Sequence, residues 1–204
     1  MGIANASRPM GFIPLIGGGR ANPITRVRPV PTTRTVNHGG AANTDMAVGD
    51  AYSIDASGNT FRAGPQDIVR GIIVGFVLGA NQSIMNQNGP VSVDYVTGTL
   101  GAAMLLIGIE DLDVDFSVQA DTFAAANVGQ LFNLTDVAPD SLWRQSRQTI
   151  NIAGGVGSQF QAIDIVGGPG TWPGGTNQNP AMGNPADAYG ANAQIVVKML
   201  QAIS

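Results

Sequence analysis

Ile109-Glu110-Asp111-Leu112-Asp113-Val114-Asp115-Phe116-Ser117-Val118-Gln119 is the clearest two-residue repeat in this chain of 204 residues. Successive side chains of a strand point to opposite faces. The repeat therefore predicts one strand, with Leu112, Val114, Phe116 and Val118 facing a core and Asp111, Asp113, Asp115 and Ser117 facing away. Upstream, Gly101 to Ile109 is apolar and broken by two glycines, which favours strand over buried helix. Further back, Ile68 to Leu78 is β-branched and nearly continuous. It reads as a central strand buried on both faces, with Gly71 and Gly75 marking a bulge or close packing.

The same alternation appears in Ala51-Tyr52-Ser53-Ile54-Asp55, after Val48-Gly49-Asp50. The small-polar turn Ala56-Ser57-Gly58-Asn59 and the run Thr60-Phe61-Arg62 complete a β-hairpin. Val91 to Tyr95 reads as a short strand. Beyond the repeat, strand-like runs recur at Gln130–Leu134, Gln148–Ile152, Phe160–Val166 and Gln194–Leu200. Asp121 to Asn127 predicts the one short helix, capped by Asp121 or Thr122 and ended near Gly129. Residues 168–192 form a long loop rich in Gly, Pro and Asn. The expected fold is all-β: a β-barrel or sandwich-like body over residues 45–204, with an extended N-terminal arm and one short helix.

The arm is residues 1–44. It holds Arg8, Arg20, Arg26, Arg28 and Arg34 and no acid, whereas the other 160 residues hold all 14 acids against five bases. Five prolines and Gly17-Gly18-Gly19 deny it a helical or alternating period. It is expected to be extended, without regular structure, ordered only by contact with another chain, and dispensable for folding of the body. Its five arginines could neutralise a few phosphates. The arm has no aromatic beyond Phe12, however, and the body is acidic, so docking on an acidic protein surface is preferred to nucleic acid. Arg8, Phe12, Arg20, Arg26, Arg28 and Arg34 are the partner-binding candidates.

Composition narrows the chemistry. Charged residues are only 12% of the chain, which suits a surface packed against neighbours. Without cysteine there is no disulfide framework, and the absence suits a reducing cytoplasm. One histidine, His38 in Asn37-His38-Gly39-Gly40 at the junction of arm and body, makes a zinc site or a catalytic triad a poor fit. Neither glycine-rich stretch is a phosphate loop, since each lacks the lysine. Alternate carboxylates on a strand lie roughly 6.5–7 Å apart, so one Ca²⁺ would not reach Asp111, Asp113 and Asp115 together. They read instead as an acidic face for solvent or for arginines of a neighbouring subunit. Trp172, in Gly170-Thr171-Trp172-Pro173-Gly174, is a candidate loop anchor. No apolar run is long enough for a membrane helix, and Met1 to Gly19 lacks the basic start of a signal peptide. No cofactor, metal or catalytic residue is expected.

A succession of short motifs adds to this. Arg8-Pro9-Met10-Gly11-Phe12-Ile13-Pro14 is followed by Val48-Gly49-Asp50-Ala51-Tyr52, Ile72-Ile73-Val74-Gly75-Phe76 and Phe116-Ser117-Val118-Gln119-Ala120-Asp121. Asn127-Val128-Gly129-Gln130, Ser146-Arg147-Gln148 and a last strand at Ala193–Leu200 come next. In this order the chain resembles the capsid decoration (cement) proteins and related head structural proteins of tailed bacteriophages. It departs from them in its long loop 168–192 and in a C-terminal strand without a polar ending. The resemblance implies a β-barrel-like body without enzymatic activity. It also implies manufacture in the host cytoplasm and a place on the outside of the virion. There the protein would reinforce the shell by bridging subunits of the major capsid protein, with other copies of itself beside it. A head-fibre or tail-associated structural protein is the alternative of the same class. A carbohydrate-binding β module using Trp143, Trp172 and the loops is the alternative from another class.

Overall fold

The structure, a computed structural model, describes residues 10–15, 23–30, 45–78, 95–96, 104–140, 145–166 and 190–200. Their strands form two antiparallel sheets and two short ribbons. The first sheet has six strands in the order β1 (Ile13–Leu15), β9 (Asp115–Gln119), β15 (Gln194–Met199), β13 (Phe160–Ile165), β11 (Leu131–Leu134), β12 (Ile150–Asn151). The second has five: β2 (Thr25–Val30), β8 (Met104–Ile109), β6 (Gly71–Leu78), β4 (Ala51–Ile54), β5 (Thr60–Arg62). The ribbons pair β3 (Met46–Ala47) with β7 (Tyr95–Val96) and β10 (Thr122–Phe123) with β14 (Gly190–Ala191).

Alternation along each strand builds the core. Phe116 and Val118 of β9, Ile195, Val197 and Met199 of β15, and Phe160, Ala162 and Ile165 of β13 point inward and are buried in one cluster. Burial of each of these side chains other than Ala162 stabilises the fold by about 1.5–3 kcal/mol. Ile72 and Ile109 join that cluster from the five-stranded sheet, so it is the layer between the two sheets. A second cluster, Val30, Met46, Tyr52, Ile73, Phe76 and Leu106, lies on the other face of the five-stranded sheet. That sheet curls until its edge strands meet: Thr60 Oγ1 on β5 donates to the Pro29 carbonyl on β2 at 2.7 Å. Pro29, with no N–H to offer a ladder, sits on an edge strand where proline is tolerated.

The hairpin predicted over residues 51–62 is present, with Tyr52 opposite Arg62 and Ile54 opposite Thr60. Asp55 builds its turn, accepting from the amides of Ser57 and Asn59, both at 2.8 Å. Of the bulge or close packing expected in the central strand, a bulge falls between Ile73 and Gly75; the strand is not buried on both faces throughout, since Val77 is exposed where β6 runs past the other sheet.

Four further readings change. First, Ile109 to Gln119 is not one strand. β8 ends at Ile109 in one sheet and β9 starts at Asp115 in the other, so the repeat spans the corner between them. Asp111 makes the corner: its Oδ1 accepts from Asp113 N at 3.0 Å and its carbonyl from Val114 N at 3.3 Å. Leu112 is exposed at the tip, whereas Asp111 is 3% exposed. Second, the Asp121 carboxylate does not cap a helix. It accepts from the amides of Thr122, Ile152 and Ala153, and Thr122–Phe123 is strand, leaving only a 3₁₀ turn at Ala125–Asn127. Third, β12 covers only two residues of the run predicted at Gln148–Ile152, because Gln148 turns its side chain into the body instead. Fourth, the arm is not apart from the body: β1 and β2 are edge strands of the two sheets.

Candidate partner-binding surface

Phe12 is a core residue, not a surface anchor. It is 1% exposed, and its ring stacks on Phe160 with centroids 4.6 Å apart. Its amide donates to the Gly49 carbonyl at 2.8 Å. The partner-binding role expected for Phe12 is withdrawn, because a side chain buried inside the sandwich cannot meet another protein.

Arg28 is engaged within the chain as well. Its guanidinium holds Glu110 through Nε and Nη2, both at 2.7 Å, and the Tyr52 hydroxyl donates to Glu110 Oε1 at 2.6 Å. Burial alone would push the Glu110 carboxyl up. Hydrogen bonds from Arg28 and Tyr52, with the charges of Arg28 and Arg26, outweigh burial and hold it below the ordinary value. Burial, then the bond to Glu110, pushes the Tyr52 phenol up. Glu110 is the only glutamate in the chain, and it ties β2 to β4 across the intervening strands. A carboxyl lowered on folding contributes stability that is present above its unfolded pKa and lost as pH falls through the folded one. Glu110→Gln should cost about 1–2 kcal/mol at pH 7, the usual cost of losing charge-assisted bonds at a partly exposed pair. The gap between Glu110→Gln and the parent should close on acidification, in urea unfolding followed from pH 7 to pH 3. A gap unchanged by pH would remove Glu110 from the ion pair.

Asp111, Asp113 and Asp115 do not form one acidic face. Asp111 Oδ2 accepts from Ile24 N at 3.1 Å and fastens the corner to the start of β2. Asp113 is exposed at the corner, and Asp115 lies on β9 opposite Leu15 and Lys198. Among the described residues, no group of three or more His, Cys, Asp or Glu is placed to hold a metal. No helix among them is long and apolar enough to cross a membrane. Arg8, Arg20, Arg34, His38, Trp143, Trp172 and nearly all of the loop 168–192 lie outside the described residues.

Among the described residues, one surface open to a partner is the stretch of β2, β8 and β6 that continues the face of Ile109 and Ile72 beyond the layer between the sheets. Register places Val27 opposite Ile107 and Pro29 opposite Leu105. On the other side of β8, Ile107 is opposite Gly75 and Leu105 opposite Val77. Directly opposed residues share a face, so this is an apolar strip without a charged side chain. Val27 is 58% and Val77 43% exposed, and Ile24, just before β2, is 46% exposed. Arg26, also exposed, projects from the other face of β2, opposite Gly108. Sequence reasoning missed this strip because it depends on pairing between segments about 30 and about 80 residues apart in the chain.

Comparison with family models, curated proteins and solved structures finds no match to this chain.

Proposed function

We propose that the protein is a virion structural protein, without enzymatic activity, that binds the outer surface of an assembled capsid and stabilises it by bridging capsid subunits. The observation that carries the reading is the apolar strip of Val27, Leu105, Ile107 and Val77 on a chain with only 12% charged residues. Contiguous exposed apolar surface marks interaction sites. Arg26, exposed on the opposite face of the same edge strand, favours an acidic protein partner. The ordered motif succession points to the same class of partner, the major capsid protein. Bridging suits a modest strip, because many copies act together on a lattice and each is held at high local concentration by its neighbours.

Co-sedimentation with empty shells tests this. The parent should pellet with shells, and Val27→Asp with Val77→Asp should weaken pelleting at least about tenfold while the isolated protein still melts cooperatively. A tenfold loss is about 1.4 kcal/mol, modest for two residues inside an interface. A parent that stays in the supernatant would sink the reading. Equal pelleting of parent and variant would move attachment away from this strip.

A further inference from the structure

Three sequence motifs far apart in the chain meet at one buried point. Asp50 is 0% exposed, and its carboxylate accepts from Ala47 N at 2.8 Å and from the Ser146 hydroxyl. Ser146 is also fully buried. Met10-Gly11-Phe12 crosses directly above. A Cβ on Gly11 would collide with Ser146 Oγ and the Gly49 carbonyl, and one on Gly49 would lie 2.8 Å from the Met10 carbonyl. Both glycines also hold left-handed backbone, φ +69° and +91°. The N-terminal segment is thus a closely fitted cover over the Asp50–Ser146 pair.

That pair is chemically unusual, because its carboxylate is buried against neutral donors. The charged side chains around it come from two elements. Arg62 on β5 attracts it but is bonded to Asp45 O and Asp136 Oδ1, both at 3.0 Å, and Asp136 repels it. Residues 10–15 and β6 bring no titratable group, and Arg147, beside Ser146, is exposed. Burial dominates and pushes the Asp50 carboxyl up to about 7. A buried anion without a paired cation is costly, and local opening to water relieves it. The opening that hydrates the pair most directly is the cover itself: it unseats Phe12, but β1 has only three residues and pairs only with β9.

We propose that Asp50 and Ser146 form a proton-controlled latch: neutral Asp50 keeps residues 10–15 seated on the body, and ionised Asp50 favours their release. The sign follows from linkage. The seated state binds the proton more tightly than the released state, whose Asp50 titrates near the ordinary value of about 3.9. Release therefore becomes easier as pH rises from about 4 to about 7 and levels off above. This inference is independent of the capsid reading.

Amide hydrogen exchange on the isolated protein tests it, corrected for intrinsic rates. Protection of the Phe12 amide should fall by up to about tenfold per pH unit between pH 5 and pH 7, then flatten. It should also be lower throughout than protection in the core strand β15, which reports global unfolding. Asp50→Asn should abolish the slope. Ser146→Ala, which removes a donor to the anion, should carry the slope to higher pH and serves if Asp50→Asn does not fold. A Phe12 amide with pH-independent protection, or one exchanging only as fast as β15, overturns the latch. So does a slope that survives in Asp50→Asn or is unmoved in Ser146→Ala.

Discussion

Phe12→Ala should destabilise the protein by about 3–5 kcal/mol, and deletion of residues 1–34 should leave a chain without a cooperative unfolding transition. Truncating a buried phenylalanine removes its transfer energy and leaves a cavity that the surroundings fill only in part. Here the ring is 1% exposed and stacked on Phe160, at the centre of the inter-sheet cluster. Deletion does more. It removes β1 from the six-stranded sheet and β2 from the five-stranded one. It also takes Val30 from the second cluster and Arg28 from Glu110. Domains of this size are stable by only about 5–15 kcal/mol in total. The sequence reading expected the opposite, a body that folds without its arm. Urea unfolding followed by tryptophan fluorescence and circular dichroism decides between them. A truncated protein with a sharp transition near the parental midpoint would show that these edge strands are ornaments.

What the sequence disclosed and what it hid have separate physical causes. Local patterns were readable. The hairpin from Ala51 to Arg62 follows from alternation around an Asp-anchored turn, and the bulge near Gly75 from a glycine inside a β-branched run. Parity of side chains, by contrast, survives a corner. Leu112 keeps the alternation of Val114 and Phe116, yet it sits at the turn where Asp111 bonds its neighbours' amides, so two strands of different sheets read as one. Asp121 carries an N-cap signature, but its carboxylate serves the amides of Ile152 and Ala153, some 30 residues away. Phe12 was hidden by its surroundings. Proline and glycine dominate the arm's composition, and one aromatic side chain seated in a core outweighs them. Of the candidate site, the arginines were visible as charge, whereas the strip of Val27, Ile107, Leu105 and Val77 exists only through strand register.

Register also makes Gly108 and Gly71 unequal in a way that mutation can expose. Tyr52 is fully buried, with its ring over both glycines and its hydroxyl on Glu110. A Cβ at Gly108 would lie 2.7 Å from Tyr52 Cζ, and its nearest neighbours are all atoms of that side chain. A Cβ at Gly71 would meet the Ile109 carbonyl at 2.5 Å before it met Tyr52 Cε1 at 2.8 Å. Neither glycine has positive φ, so alanine is penalised here by crowding alone. Gly108→Ala should cost about 2–3 kcal/mol, the usual range for overpacking a tight core. Gly71→Ala should cost more than about 3 kcal/mol, because a strand carbonyl cannot swing aside as a side chain can. Tyr52→Val separates the two. With the ring gone, Gly108→Ala meets open space and should be nearly neutral, whereas Gly71→Ala still meets the Ile109 carbonyl and keeps most of its cost. The two double-mutant cycles should therefore give a large coupling energy for Tyr52 with Gly108 and a small one for Tyr52 with Gly71. Equal couplings would mean that the ring does not rest on Gly108, and that the strut from Tyr52 through Glu110 to Arg28 is held by something other than these two glycines.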